Sequence, residues 1–370
     1  MPGMIPVLWL CGPPGAGKTA VGWEVYSSLL ASGTPAAYVD IDQLGICYPE
    51  PADDPGRHRM KARNLAAVVA NHRAGGAGCV VVSGVVDTVA GPAVDELPHA
   101  AVTVCRLRAD GGELAARLLG RDGPAADVAD SLREAADLDA GGVGGVCVDT
   151  TGRTVPEVAA LVRERTGGWP GPVRPGRGPV ELPTVDAPLP VVWLCGPTGV
   201  GTSTVGFQVY LRMLASGRIA AYVDLGQLGF GGPGPAAHRV KAANAAALVR
   251  TFRAAGAQAV VMVGPVDDAT TVRLYAGALR DAAMAVYRLH AGRDELARRI
   301  LRRGEGRGSW PQPGDPLRGR PAAELLGVVD RAARHAEALD RAGTGHRVDT
   351  DGLAPDEVTD LIVRRLRWLS

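Results

Sequence analysis

One long stretch of this chain occurs twice. Residues 7–45 and 191–229 align without gaps and agree at about 24 of 39 positions. Val7-Leu8-Trp9-Leu10-Cys11-Gly12-Pro13 returns as Val191-Val192-Trp193-Leu194-Cys195-Gly196-Pro197, and Ala36-Ala37-Tyr38-Val39-Asp40 returns as Ala220-Ala221-Tyr222-Val223-Asp224. Farther on, His58-Arg59-Met60-Lys61 is echoed by His238-Arg239-Val240-Lys241. A period of about 180 residues is far too long for a solenoid, whose units run to about 50. The chain is a tandem duplication of a whole domain, and 370 residues are enough for two ordinary cores. The expected boundaries are 1–168 for the first copy, 169–190 for a Pro/Gly-rich linker and 191–370 for the second copy.

Inside the repeat, Gly12-Pro13-Pro14-Gly15-Ala16-Gly17-Lys18-Thr19 fits G-x-x-x-x-G-K-[ST]. An apolar run precedes it and a helical pattern follows. Such a loop turns successive backbone N–H groups inward around a phosphate, at a helix N-terminus that adds partial positive charge. Lys18 is then placed to reach the β- and γ-phosphates of a nucleotide, and the Thr19 hydroxyl to bind Mg²⁺. The second copy keeps the glycines but has Thr202 where the first has Lys18, and Gly226 where the first has Asp42. Removing one preorganised donor of this kind costs about 3–4 kcal/mol, or 10²–10³ in rate. The first copy therefore reads as catalytic and the second as degenerate.

The first copy alternates strands and helices. Strands are expected at Ile5–Cys11, Ala36–Asp40, Cys79–Ser83, Ala101–Leu107 and Gly145–Asp149. Helices are expected at Thr19–Ser32, about 57–74, 111–120, 125–138 and Val155–Arg165. Alternation of this kind gives a parallel sheet covered by helices on both faces. A final helix is expected at about 355–369. The run 302–320 of the second copy, rich in Gly, Pro and Arg, is expected to form a mobile loop.

Composition narrows the function classes. A net charge of +1 gives no footprint for nucleic acid or membrane surfaces. No apolar run approaches a membrane span, and the six cysteines contain no C-x-x-C pair, which suits a reducing cytoplasm. Cys11 and Cys195 abut the two loops. They are either alkylation-sensitive or simply buried strand-end residues.

Several residues remain as candidates for chemistry. Asp40 and Asp42 follow the second strand, where ligands gather in open α/β sheets. A carboxylate there binds Mg²⁺ or accepts a proton from an acceptor hydroxyl, and Asp is also a common turn former. Arg57, His58, Arg59, Lys61 and Arg63 are either an acceptor-binding cluster or a solvated helix face. Asp87 is a candidate acid after the third strand, with helix capping as its rival. Arg117 and Arg121 follow the fourth strand, from where an arginine can close over a transferring phosphoryl group, Arg121 being better placed in a turn. Asp149-Thr150-Thr151-Gly152 offers a loop against an adenine base, or a plain helix cap.

With these residues in hand, the chain resembles the P-loop small-molecule kinases: shikimate kinase, gluconate kinase, adenylylsulfate kinase and chloramphenicol phosphotransferase. The resemblance covers both halves but not the linker. It rests on Gly12–Thr19, the Asp40-x-Asp42 pair, the arginine-bearing segment after Cys105-Arg106-Leu107-Arg108 and the Asp149–Gly152 loop. It implies two tandem domains, each a five-stranded parallel sheet of order 2-3-1-4-5 between helices. It also implies ATP and Mg²⁺, with Lys18, Asp42, Arg121 and Arg117 as catalytic residues. Gly12 through Thr19, with Thr151 and Gly152, would hold the nucleotide, and Thr19 and Asp40 the metal. The expected activity is phosphorylation of a hydroxyl on a small metabolite, with the second copy a pseudokinase-like partner in an intramolecular pseudo-dimer, itself a possible homodimer. Rival expectations are a nucleotide-binding sensor or scaffold and, less favoured, an NTPase switch.

Overall fold

The structure is a computed structural model. It describes residues 4–120, 125–141, 143, 145–176, 178–181, 189–228, 230–231, 235–279, 282–307 and 315–366. In chain order the elements of the first copy are β1 (Ile5–Cys11), α1 (Lys18–Ala31), β2 (Ala36–Asp40), a 3-10 turn (Ile41–Gly45), β3 (Cys47–Tyr48), α2 (His58–Ala74), β4 (Cys79–Ser83), β5 (Ala100–Arg108), α3 (Gly111–Leu119), α4 (Ala125–Gly141), β6 (Val146–Asp149) and α5 (Val155–Arg165). The second copy supplies β7 (Pro190–Cys195), α6 (Thr202–Ala215), β8 (Ala220–Asp224), α7 (Pro235–Ala254), β9 (Ala259–Val263), α8 (Ala269–Ala278), β10 (Ala283–His290), α9 (Arg293–Gly304), α10 (Ala322–Arg341), β11 (His346–Asp349) and α11 (Pro355–Val363).

Two compact units result, and each contains a piece of the other's sequence. The first comprises Met1–Gly45, Ala52–Glu181 and Gly229–Val240; the second comprises Ile46–Pro51, Leu182–Leu228 and Lys241–Ser370. The contiguous boundaries expected from the repeat are thus interrupted at two places. The linker is also shorter than expected. Trp169 is buried in the first unit's core, Val173 packs on it, and Val180 is buried. Apolar side chains have drawn the start of the Pro-rich segment onto the domain.

The first unit's sheet has the order β2-β4-β1-β5-β6, all parallel. Its inner strands are apolar on both faces, as covered parallel strands must be; β4 is buried throughout. Outside β2, Phe230 adds an antiparallel bridge to Tyr38, and its ring meets Trp23 and Tyr38 edge-on at 5.0 and 5.8 Å between centroids.

The second unit's sheet has six strands, in the order β11-β10-β7-β9-β8-β3. Five are parallel; the sixth, β3, runs antiparallel to β8, with Cys47 opposite Ala221 and Tyr48 opposite Ala220. This corrects the expectation of five strands. A free edge of N–H and C=O groups on β8 is covered by a two-residue strand, one common way of blunting an edge. The final helix α11 stops at Val363, short of the expected 369.

Candidate active site

The loop between β1 and α1 adopts the cradle conformation. Gly12 and Gly17 have φ of 138° and 90°, which glycine alone adopts without strain. A Cβ on Gly12 would stand 2.2 Å from the Leu107 carbonyl oxygen. Lys18 opens α1, and its side chain is buried under the loop, its ammonium donating to the Gly12 and Pro13 carbonyls at 2.7 and 2.9 Å. Burial pulls this ammonium below the usual lysine range, against the attraction of Asp42, Glu134 and Asp40. An ammonium so placed is held in reserve, because weak carbonyl acceptors yield to phosphate oxygens.

The acidic pair sits at the carboxyl end of β2, as strand ends in open sheets dictate. Asp40 ends the strand, and its carboxylate accepts the Asp42 backbone N–H at 3.0 Å. Burial, then the neighbouring Asp42 charge, push Asp40 up to about 7. Asp42 lies on the 3-10 turn and accepts from the Lys61 ammonium of α2 at 3.0 Å. Lys61 is almost fully buried and Asp42 half exposed, so the carboxylate keeps an open side. The turn is further held by Asn64, whose amide donates to the Leu44 carbonyl at 2.7 Å.

The basic cluster expected at the head of α2 divides. Lys61 turns into the site, while Arg59 and Arg63 lie on the outer face, paired with Asp53 and Asp54 and with Glu96. Arg57 is buried and sits in the left-handed region at φ 57°. His58 is half-buried and held below its usual pKa by burial and by Lys61. Asp87 caps no helix. Its carboxylate accepts the N–H groups of Val89 and Ala90, forming a turn.

Arg117 is brought to the loop, but as a brace. Its guanidinium donates to the Gly15 carbonyl at 3.3 Å and to the Thr150 hydroxyl and carbonyl at 3.0 and 2.9 Å. Arg299 makes the matching contacts to Val200 and Thr350 in the second copy. An arrangement present in both copies, including the one without the lysine, belongs to the framework. Thr151 accepts the Asp110 N–H at 3.0 Å through its hydroxyl, and Gly152 turns with φ 64°. Arg121 lies outside the described residues.

Sequence reasoning missed Glu134 on α4. It is half-buried, and burial raises its carboxyl above the ordinary value while the charges of Lys18, Asp42 and Lys61 act on it. A signal was present. Leu138-Asp139 matches Leu339-Asp340, both leucines buried and both aspartates paired with an arginine of the neighbouring strand, Arg106 and Arg288. That register sets Glu134 against His335, a third difference between the copies beside Lys18/Thr202 and Asp42/Gly226. His335 contacts the Val266 carbonyl at 2.7 Å instead.

The second cradle keeps its shape without counterparts of Lys18, Asp42 and Glu134. Gly196, Gly199 and Gly201 have φ of 153°, 85° and 102°, against 138°, 83° and 90° for Gly12, Gly15 and Gly17. Ser203, the counterpart of Thr19, donates to Asp224, the counterpart of Asp40, at 3.1 Å. Cys11 and Cys195 are fully buried, and burial pushes their thiols up to about 11 and about 12, so alkylation sensitivity gives way to a packing role.

The described residues contain no group of three or more His, Cys, Asp or Glu able to hold a metal by themselves. Asp40 and Thr19 nonetheless suit Mg²⁺, which keeps several waters and takes one or two carboxylates plus phosphate oxygens. Burial first, and then the Asp42 charge, raise the Asp40 carboxyl against the opposing pull of Lys18 and Lys61. A cavity of about 320 Å³ lined by Met4, Pro6, Arg73 and Pro172 lies at the opposite end of β1, away from the cradle.

No protein-family model and no curated protein matches the chain. Its neighbours among solved structures each span about half of it, and several are described as sugar kinase, shikimate kinase or gluconokinase. They include the tunicamycin resistance protein of Deinococcus radiodurans, at 18% identity and TM-score 0.32, covering 48% of this chain and 96% of that one. A sugar kinase from Janibacter sp. gives 18% and 0.33, covering 45% and 96%. Shikimate kinase from Bacteroides thetaiotaomicron gives 16% and 0.33, covering 48% and 98%. No helix among the described residues is long and apolar enough to cross a membrane.

Proposed function

We propose that the first unit is an ATP-dependent phosphotransferase that phosphorylates a hydroxyl of a small metabolite, and that the second copy does no chemistry. One observation carries this reading. Of the charged groups gathered around the first cradle, Lys18, Asp42 and Glu134 are replaced by Thr202, Gly226 and His335 in the second, whereas Asp40, Lys61 and the brace Arg117 persist as Asp224, Lys241 and Arg299.

The polyphosphate of ATP would lie along the N–H groups from Gly15 to Thr19, Pro13 and Pro14 having none to offer. The Lys18 ammonium exchanges two backbone carbonyls for phosphate oxygens. Thr19 and Asp40 would hold Mg²⁺, which would supply positive charge against the transferring group. Lys61 occupies one oxygen of Asp42, leaving the other to accept the proton of the acceptor hydroxyl. The acceptor's own oxygen attacks the γ-phosphorus as its proton passes to Asp42, the bond to ADP breaks, and Arg121 would stabilise the charge on the group in transit. Thr151 and Gly152 border the adenine.

The test is ADP formation across a panel of hydroxyl-bearing metabolites. Wild-type protein and Thr202→Ala should respond alike to an active acceptor, and Lys18→Ala should not respond. Equal losses in the two variants would reject the division of labour between the copies.

A further inference from the structure

The turn that carries Asp42 is gripped in its middle by one unit and continued into the sheet of the other. Within the first unit, Lys61 holds Asp42 and Asn64 holds Leu44. Gly45 closes the turn against the Lys61 stem so tightly that a Cβ there would stand 2.6 Å from the Lys61 Cγ. The next residue belongs to the second unit. The Ile46 carbonyl accepts the Tyr222 N–H at 2.8 Å, its side chain packs on the second unit's core, and Cys47 is fully buried opposite Ala221.

The second copy repeats the arrangement. Phe230 stands where Ile46 stands in the repeat, and its carbonyl accepts the Tyr38 N–H at 3.0 Å in the first unit. The exchange of segments is thus present in both directions, although only one of the two turns still bears the carboxylate. A copy that has lost its lysine keeps the strand, Ala220-Ala221-Tyr222, that receives the other's segment.

We propose that the degenerate copy is a positioning scaffold for the catalytic turn, and that Ile46 is the positioning residue. By fixing Ile46 and Cys47 in its own sheet, the second unit sets where the 3-10 turn ends. It thereby sets, through Gly45 and the Lys61 stem, where the Asp42 carboxylate stands. Lys61 and Asn64 hold the turn onto α2 through Asp42 and Leu44, and the strand pairing fixes the residues that follow Gly45. This rests on the reading of Asp42 as the acceptor-facing carboxylate.

The test is hydrogen exchange of backbone amides in the full-length protein, which needs no turnover. Ile46→Asp puts a charge on the second unit's core and should unseat β3. Amides from Asp42 to Gly45 should then exchange at least about tenfold faster. Those of the Gly12–Thr19 loop should keep their wild-type rates, and ATP should bind with wild-type affinity. Ile46→Val should restore the slow exchange. Ile46→Ala gives the same comparison in a milder form should the aspartate variant not fold. Leu211→Asp, a charge at an exposed position of the second unit, should change nothing. Faster exchange at Cys47 and Tyr48 with residues 42–45 unaffected would overturn the proposal. Failure of the phosphotransfer reading would appear separately, as no ADP formation by wild-type protein, and would leave the exchange result standing.

Discussion

At the scale of single residues, the decisive contrast is Lys18 against Thr202. An ammonium that meets charge developing on a phosphoryl group in a site shielded from water is worth about 3–4 kcal/mol. Lys18→Ala should therefore lower kcat at least about 10²–10³-fold with little change in thermal midpoint, measured by ADP release and calorimetry. Asp40 gives a pH prediction. Its carboxyl is raised to about 7, so the folded state holds a proton that the unfolded state has already released. Stability without Mg²⁺ should be greatest below about pH 4 as far as this group is concerned, and should fall as pH rises towards 7, by at most about 4 kcal/mol. Asp40→Asn should flatten that slope in urea titrations at pH 5 and 8, and Mg²⁺ with ATP should offset the loss in wild-type protein alone. Cysteine reactivity belongs to the same scale. Five thiols are buried and Cys147 is exposed, so a thiol reagent should titrate about one of six in the folded protein. Lys18, Thr19, Asp40 and Asp42 were legible in the sequence because each is tied to a local pattern, a loop or a strand end. Glu134 was harder to read, since its only signal is the match of Leu138-Asp139 to Leu339-Asp340, which lies outside the long ungapped repeat.

At the scale of elements, the loop between β1 and α1 is fixed by close approach. Gly12→Ala would drive a Cβ into the Leu107 carbonyl of β5, so it should abolish nucleotide binding in a calorimetric titration and lower the melting temperature. The brace between α3 and the loop after β6 makes a softer prediction. Arg117→Ala removes three donors to Gly15 and Thr150 and should weaken ATP binding roughly tenfold, at about 1.4 kcal/mol. Helix and strand positions were readable because apolar runs and Gly33 mark them plainly. The fate of the basic residues on α2 was not readable. Periodicity places Lys61 on a helix, but its inward turn rests on two tertiary contacts, the Asp42 carboxylate at its tip and Gly45 against its stem.

At the scale of the whole molecule, the repeat announced two domains, and the structure redistributed their edges. The sequence carries no sign that Ile46 and Phe230 change sides. Both lie just beyond the matched stretch or at its rim, and both read as ordinary loop residues. Trp169 deceived in the opposite direction, since a proline-rich surround hid a core side chain. Phe230→Ala should cost the first unit about 2–4 kcal/mol by uncovering Trp23 and Tyr38, read as a lower denaturant midpoint. An untouched midpoint would mean that the ring lends that unit no stability.

The reciprocal strands also bear on how such a gene can change. Once each half completes its neighbour's outer margin, neither can be deleted or exchanged by recombination without stranding the survivor. On the proposed division of labour, mutation is then released from guarding phosphate chemistry in the later half, yet still bound to guard a margin of three residues there. A silent twin can lose its reaction and remain indispensable.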